Sequence, residues 1–189
     1  MSNFSRLEFK AFDLKNPITS ALFEDFYDIM VSSFPKGERR TREGFLSLVE
    51  SSEKYRIYAL LDGEKLVAFF SVWEFESFTF GDHFAVSERL RNKGIGAELL
   101  KKILSDCRLP FILEAELPDC EIARRRQGFY TRNGFKINHF SYLLPPMQEG
   151  CKAIPMHILS YPEPQSESEF KNIKETLYKE VYNVKTAAI

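Results

Sequence analysis

The sequence is short of several things that would define a class. Cysteine occurs only at Cys107, Cys120 and Cys151, too sparsely for a disulfide framework. No Cys-x-x-Cys is present, and His83, His139 and His157 lie far apart in the chain, so no metal site is predicted. A chain without a disulfide framework is expected in a reducing cytoplasm. No apolar run approaches the roughly 18 residues of a membrane helix, so no membrane partner is expected. Met1 to Arg6 show neither an apolar h-region nor a small-residue cleavage site, so no secretory signal is expected. Net charge is also lacking: 26 Lys and Arg oppose 27 Asp and Glu, a formal balance of −1. That neutrality argues against a dedicated nucleic-acid binder. There are no internal repeats or low-complexity tracts.

What remains is the composition of an ordinary globule. The 189 residues suit one domain with a small appendage, and 44% are hydrophobic against 28% charged. Phenylalanine stands out, with 18 copies against one Trp. Composition alone leaves open whether they fill a core or line a cleft.

Periodicity organises the chain. Arg6 to Leu14 reads as a strand. Thr19 or Ser20 opens a helix running to about Phe34, with Leu22, Phe26, Ile29, Met30 and Phe34 on one stripe. Thr41 precedes a short second helix carrying Phe45, Leu48 and Val49. Three antiparallel strands follow, Tyr55 to Leu61, Lys65 to Phe75 and Phe78 to Val86, with a hairpin turn at Asp62-Gly63. Gly94 to Ile103 returns to helical spacing. Phe111 to Leu117 reads as a strand, Glu121 to Asn133 as a helix, and Lys136 to Leu144 and Ala153 to Tyr161 as strands. Glu163 to Glu169 reads as a polar linker. Phe170, Ile173, Leu177, Val181 and Val184 form an amphipathic C-terminal helix whose apolar face packs on the domain or in a homodimer. The expected layout is a domain at 1–162 and an appended segment at 163–189.

One segment carries chemistry. Phe84-Ala85-Val86 runs into Ser87 to Lys93, then Gly94-Ile95-Gly96-Ala97 opens the apolar-periodic helix. A helix start leaves backbone N–H groups without intrahelical acceptors and presents the positive end of the dipole. Such a site suits a phosphate or pyrophosphate, and glycines let an anion approach the backbone. Arg89, Arg91 and Lys93 add positive charge. The spacing fits neither the dinucleotide fingerprint nor a Walker A motif.

Arg91-Asn92-Lys93-Gly94-Ile95-Gly96 resembles the Arg/Gln-x-x-Gly-x-Gly/Ala loop of the GCN5-related N-acetyltransferases (GNAT). Phe129-Tyr130-Thr131-Arg132-Asn133-Gly134-Phe135 resembles that superfamily's aromatic-Tyr-x-x-x-Gly-Phe run, and the element order agrees from Arg6 to Tyr161. The resemblance implies an α+β, αβα-layered fold with a central mixed, mainly antiparallel sheet. It implies acetyl transfer from acetyl-CoA to a primary amine, with Arg91 to Ala97 around the pyrophosphate. It also places Phe84, Ala85 and Val86, on a bulged strand, at the thioester. Tyr130 takes the position of the tyrosine near the coenzyme sulfur, where a phenol donates to the departing thiolate. Where many members have Asn this chain has Ala123, followed by Arg124, Arg125 and Arg126. Arg125 or Arg126 is the candidate replacement contact, and a solvated basic face is the alternative.

Candidate bases are Glu114 and Glu116, which share one face of their strand, and His83, the histidine nearest the expected bulge. Loss of the amine proton to water needs none of them. Phe34 to Arg40 resembles a segment of a bacterial branch of these enzymes. Glu38 suits an ammonium, and Arg39 and Arg40 suit a carboxylate or phosphate. Glu74, Glu76 and Tyr142 complete the acceptor candidates, whose acidity favours a small cationic amine or an amino-acid-like molecule. The rival readings are a non-catalytic acyl-CoA-binding module on the same fold and an interaction protein exposing its C-terminal helix.

Overall fold

The computed structural model describes residues 6–184. It contains two compact units, Met1–Phe111 and Ile112–Ile189. Seven strands and five α-helices are assigned among the described residues, and the architecture is α+β with mixed, mainly antiparallel strands, as the sequence predicts.

The first unit opens with β1 (Glu8–Phe12) and α1 (Ser20–Ser33). The Thr19 side chain accepts from the Leu22 amide and caps α1. Phe23, not Leu22, joins Phe26, Ile29 and Met30 in the core, while Phe34 ends the helix half-buried. A 3-10 turn at Lys36–Glu38 leads to α2 (Arg42–Ser51), capped by Thr41. Then β2 (Tyr55–Asp62), β3 (Lys65–Glu74) and β4 (Thr79–Val86) form an antiparallel meander, with β1 on the outer edge of β2. The β2–β3 turn is Gly63-Glu64, one residue later than expected, with Gly63 at φ +63°. Glu76 lies beyond the end of β3 in the exposed turn, so it does not share a strand face with Glu74. The unit closes with α3 (Ile95–Asp106), whose Ile95, Leu99, Leu100 and Ile103 are buried.

Most of the phenylalanines answer the composition question by filling cores. Phe26 of α1 meets Phe69 of β3 at 4.5 Å and Phe45 of α2 at 5.6 Å between ring centroids. Phe70 stacks on Phe84 at 4.7 Å and meets Phe111 edge-on at 5.4 Å.

The second unit contains β5 (Phe111–Glu116, beginning on the last residue of the first), α4 (Glu121–Arg132), β6 (Lys136–Leu144), β7 (Ile154–Tyr161) and α5 (Glu167–Thr176). β7 lies between β5 and β6. The stretch read as a linker is partly helix. Ser166 and Glu169 form a reciprocal capping box that starts α5 inside it. α5 continues as a π-helical turn at Leu177–Val181. Its apolar stripe is buried within this unit: Phe140 meets Phe170 at 4.8 Å, and the Tyr178 hydroxyl donates to the Leu143 carbonyl at 2.7 Å.

Among the described glycines, Gly81 on β4 has the least room for a side chain. A Cβ there would stand 2.7 Å from the Phe70 ring and 2.8 Å from Phe111. Gly81→Ala is expected to cost about 1–3 kcal/mol of stability through overpacking. A urea unfolding midpoint equal to wild type would contradict this.

Candidate functional site

The start of α3 differs from the other helix starts. Thr19, Thr41, Cys120 and Ser166 cap their helices with side-chain hydrogen bonds, while Gly94 offers none. The first intrahelical bond of α3 is Glu98 N–H to the Gly94 carbonyl at 3.1 Å. The amides of Ile95, Gly96 and Ala97 therefore have no acceptor within the helix. Gly94 sits at φ +80° with nothing within 4 Å of where a Cβ would project. Its role is backbone conformation and open space. Gly96 has another role, since its Cβ would meet the Phe84 ring at 3.3 Å. Asn92 takes a left-handed φ of +61°, which asparagine tolerates.

The basic residues before the helix are partly committed. Arg91 donates through Nε to the Val86 carbonyl at 3.0 Å and through Nη2 to Ser33 at 3.2 Å. These bonds pin the loop to the end of β4 and to α1. Arg89 pairs with Asp62 at 3.2 Å on the surface, and Lys93 is exposed. Phe84 and Val86 are half-buried and Ala85 is buried, in regular register with Phe70, Ala68 and Phe69. The register break in β3–β4 lies upstream, where Ser71 pairs with His83 and Val72 with Gly81, leaving Asp82 as the extra residue.

That bulge organises a buried polar cluster in the first unit. Asp82 accepts from Arg40 at 2.9 Å and from the Trp73 indole at 3.3 Å. His83 Nδ1 lies 3.1 Å from the other Asp82 oxygen without an aligned hydrogen bond. Nε2 of the same ring lies 2.8 Å from the Glu38 carbonyl, and Phe34 and Phe45 meet the ring edge-on. Burial alone would raise the Asp82 carboxyl. The His83 ring, the Arg40 guanidinium and the Trp73 N–H outweigh it and hold the group well below the usual carboxylate range. Burial, with Asp82 nearby, pushes the Tyr55 phenol far above its ordinary value.

The sequence named Glu38, Arg39, Arg40 and His83 for acceptor or proton work. The structure brings them together as a staple between the α1–α2 connector and β4. Arg39 turns back to the Phe34 carbonyl at 3.1 Å and the Tyr27 hydroxyl at 3.2 Å. Glu74 pairs with Arg56 at 3.2 Å, apart from the exposed Glu76. Asp82 and Trp73 were missed. The available signal was one acid inside the apolar run Phe78 to Val86.

In the second unit, Tyr130 is buried on α4, with its ring against Phe129 and Phe135 at 5.3 and 5.6 Å. Burial, opposed by Arg126, pushes its phenol up to about 12. Glu114 and Glu116 share the polar face of β5, as period 2 requires. Glu116 pairs with Arg126 at 2.5 Å. Glu114 accepts from the Tyr142 hydroxyl through one oxygen and from the Tyr182 hydroxyl at 2.6 Å through the other. Ala123 is buried and Arg125 exposed on α4. Tyr182 was missed, although it lies four residues beyond Tyr178 at the end of the C-terminal stripe.

Residues 53–137 match the family profile of the acetyltransferase (GNAT) domain. Among solved structures, a protein of Bacteroides thetaiotaomicron assigned as a GNAT-family acetyltransferase is 28% identical. That match covers 94% of this chain and 99% of the other, with a TM-score of 0.85. Arabidopsis thaliana NAA60, solved with acetyl-CoA, is 15% identical over 82% of this chain and 97% of its own, at a TM-score of 0.62. Escherichia coli ElaA is 17% identical over 81% and 98%, at 0.59. These last two share the fold alone. No curated protein matches the sequence. Residues 53–137 are therefore similar to a GNAT acetyltransferase domain, and the chain has the GNAT acyl-CoA N-acyltransferase fold.

Asp82→Asn is expected to destabilise the protein by about 3 kcal/mol at pH 7, because it removes the buried charge that Arg40 and the Trp73 indole hold. The native carboxyl is depressed, so its contribution is full above the unfolded value of about 3.9 and is lost as pH falls toward the folded one. Urea unfolding of both proteins should therefore show the gap narrowing below about pH 4. A gap that is absent at pH 7, or constant down the acid range, would contradict the assignment.

Proposed function

We propose that the protein is an N-acetyltransferase moving an acetyl group from acetyl-CoA to a primary amine by direct attack. The acceptor we favour is a small cationic amine or an amino-acid-like molecule. The observation that carries the reading is the uncapped, glycine-opened start of α3 inside a GNAT domain. Three amides at a positive helix end, with Lys93 and Arg91 beside them, fit a pyrophosphate. Acetyl-CoA supplies the thioester, whose C–S bond breaks as the N–C bond forms.

In this reading Gly94 to Ala97 hold the pyrophosphate, and Asn92 and Lys93 flank it. The backbone of Phe84 to Val86 takes the family's place at the acetyl carbonyl, where N–H donors oppose developing negative charge. Tyr130, pushed up to about 12, keeps its proton at neutral pH. A phenol that weak is a poorer acid than a thiol near 8.5. Its role is therefore a hydrogen bond to the sulfur as charge develops, with the thiol taking its final proton from water. Glu114 is the acceptor-side carboxylate, a fixed anion held by two phenols. Glu116 is joined to Arg126 in the second unit, and His83 is held through Nε2 at the Glu38 carbonyl in the first, so neither is given the role of base. The ammonium loses its proton to water.

The layout that goes with this reading is a catalytic domain at 1–162 and a helical segment at 163–189. Its three cysteines are free, which suits the cytoplasm. No helix among the described residues is long and apolar enough to cross a membrane. A homodimer is compatible with the layout.

Calorimetry with acetyl-CoA, followed by thiol release with a panel of polyamines, amino acids, aminoglycosides and peptide N-termini, tests the reading. Gly94→Glu is expected to abolish acetyl-CoA binding, and unchanged affinity would refute the pyrophosphate placement. Tyr130→Phe should lower turnover by about tenfold, the loss of a hydrogen bond to a charged atom, with acetyl-CoA affinity little changed. Equal turnover would remove Tyr130 from the chemistry. Binding with no turnover on any amine would favour the non-catalytic module.

A further inference from the structure

The C-terminal segment lies outside residues 53–137, and the proposed function leaves it without a role. Its stripe is buried: Phe170, Ile173, Leu177, Tyr178 and Val181. Packing alone accounts for those five. It does not account for Tyr182, which is half-buried and spends its hydroxyl on Glu114 at 2.6 Å. A phenylalanine would cover the same apolar surface, and this chain uses 18 of them.

The backbone is shaped to deliver that hydroxyl. The Tyr182 amide donates to the Leu177 carbonyl at 3.1 Å, a span of five residues that widens the last turn. Widening rotates everything beyond Val181 about the helix axis relative to a regular α-helix. The turn is pinned on both sides of the wide bond. Tyr178 donates to Leu143 at 2.7 Å, and the Val184 amide donates to the Tyr178 carbonyl at 2.8 Å. From the other direction, Tyr142 of β6 donates to the second Glu114 oxygen. One carboxylate on β5 is thus held at both oxygens, by phenols from two separate elements. Two fixed donors leave it one orientation and stabilise its charged form.

We propose that Tyr182 is a positioning residue for Glu114, so that the C-terminal segment completes the acceptor site of the second unit. The inference rests on the reading of Glu114 as the acceptor-side carboxylate. Tyr182 touches neither coenzyme nor acceptor. It acts by holding the anion that meets the ammonium, and its loss weakens acceptor binding while leaving the coenzyme site intact.

The test uses the full chain, wild type against Tyr182→Phe and Glu114→Gln, with two readouts. The first is proton NMR of the downfield hydroxyl signals that phenols bonded to a carboxylate give, which needs no acceptor. One such signal should vanish in Tyr182→Phe, and both should vanish or move in Glu114→Gln, with dispersed amide spectra showing that each variant is folded. The second is steady-state kinetics with the best amine of the panel. Tyr182→Phe should raise the acceptor KM about tenfold, with kcat and acetyl-CoA affinity within about twofold. Wild-type kinetics in Tyr182→Phe would overturn the positioning role while leaving acetyl transfer standing. Absence of the hydroxyl signals in folded wild-type protein would overturn the contact. Transfer to no amine by wild type would refute the proposed function, and this inference with it.

Discussion

Everything proposed for this protein depends on one constraint: a helix that begins without a capping side chain. Backbone N–H groups at a helix start need partners, and the other four α-helices here supply one from their own N-cap residue. α3 does not, and it starts from a glycine in the left-handed region with open space at its Cβ position. The second glycine lets the first turn approach Phe84 of β4. Arg91, bonded to Val86 and Ser33, fixes the loop that carries the bases. In the proposed function, the pyrophosphate of the coenzyme supplies the missing acceptors.

Within each unit the chain spends its charged residues on itself. Arg39 and Arg40, which looked like anion ligands, hold the connector between α1 and α2 in place, with Arg40 bound to the bulged Asp82. Glu116 is joined to Arg126, and Glu114 is oriented by two tyrosines. An active site needs such second partners, since a side chain that acts on a substrate must first be held. In the proposed mechanism, Glu114, Glu116 and His83 are each committed to another residue, and none of them is given the role of base. Water is the simplest recipient of the ammonium proton.

The fold was largely legible because its signals are local. The period of α3, the glycine start and the alternation of β5 all depend on residues adjacent in the chain. The capping box of α5 was equally local, but Ser166 and Glu169 were obscured by Pro162, Pro164 and a polar run that resembled a linker. The staple was not legible, because Arg40 meets an acid 42 residues away. Nothing near Arg40 distinguishes it from a solvated arginine. The bulge is a matter of register between two strands, so it fell at Asp82 where the family resemblance had pointed to Phe84 to Val86. Tyr182 depended on a widened helical turn, which residue spacing does not encode.

The most direct test of the central claim is an NMR titration of amide-labelled full-length protein with acetyl-CoA, following Ile95, Gly96 and Ala97. The account predicts that these three amides move most, and that coenzyme A without the acetyl group moves them equally, since both carry the pyrophosphate. If the coenzyme binds while these amides stay still, the start of α3 is not the anion site and the account fails at its base.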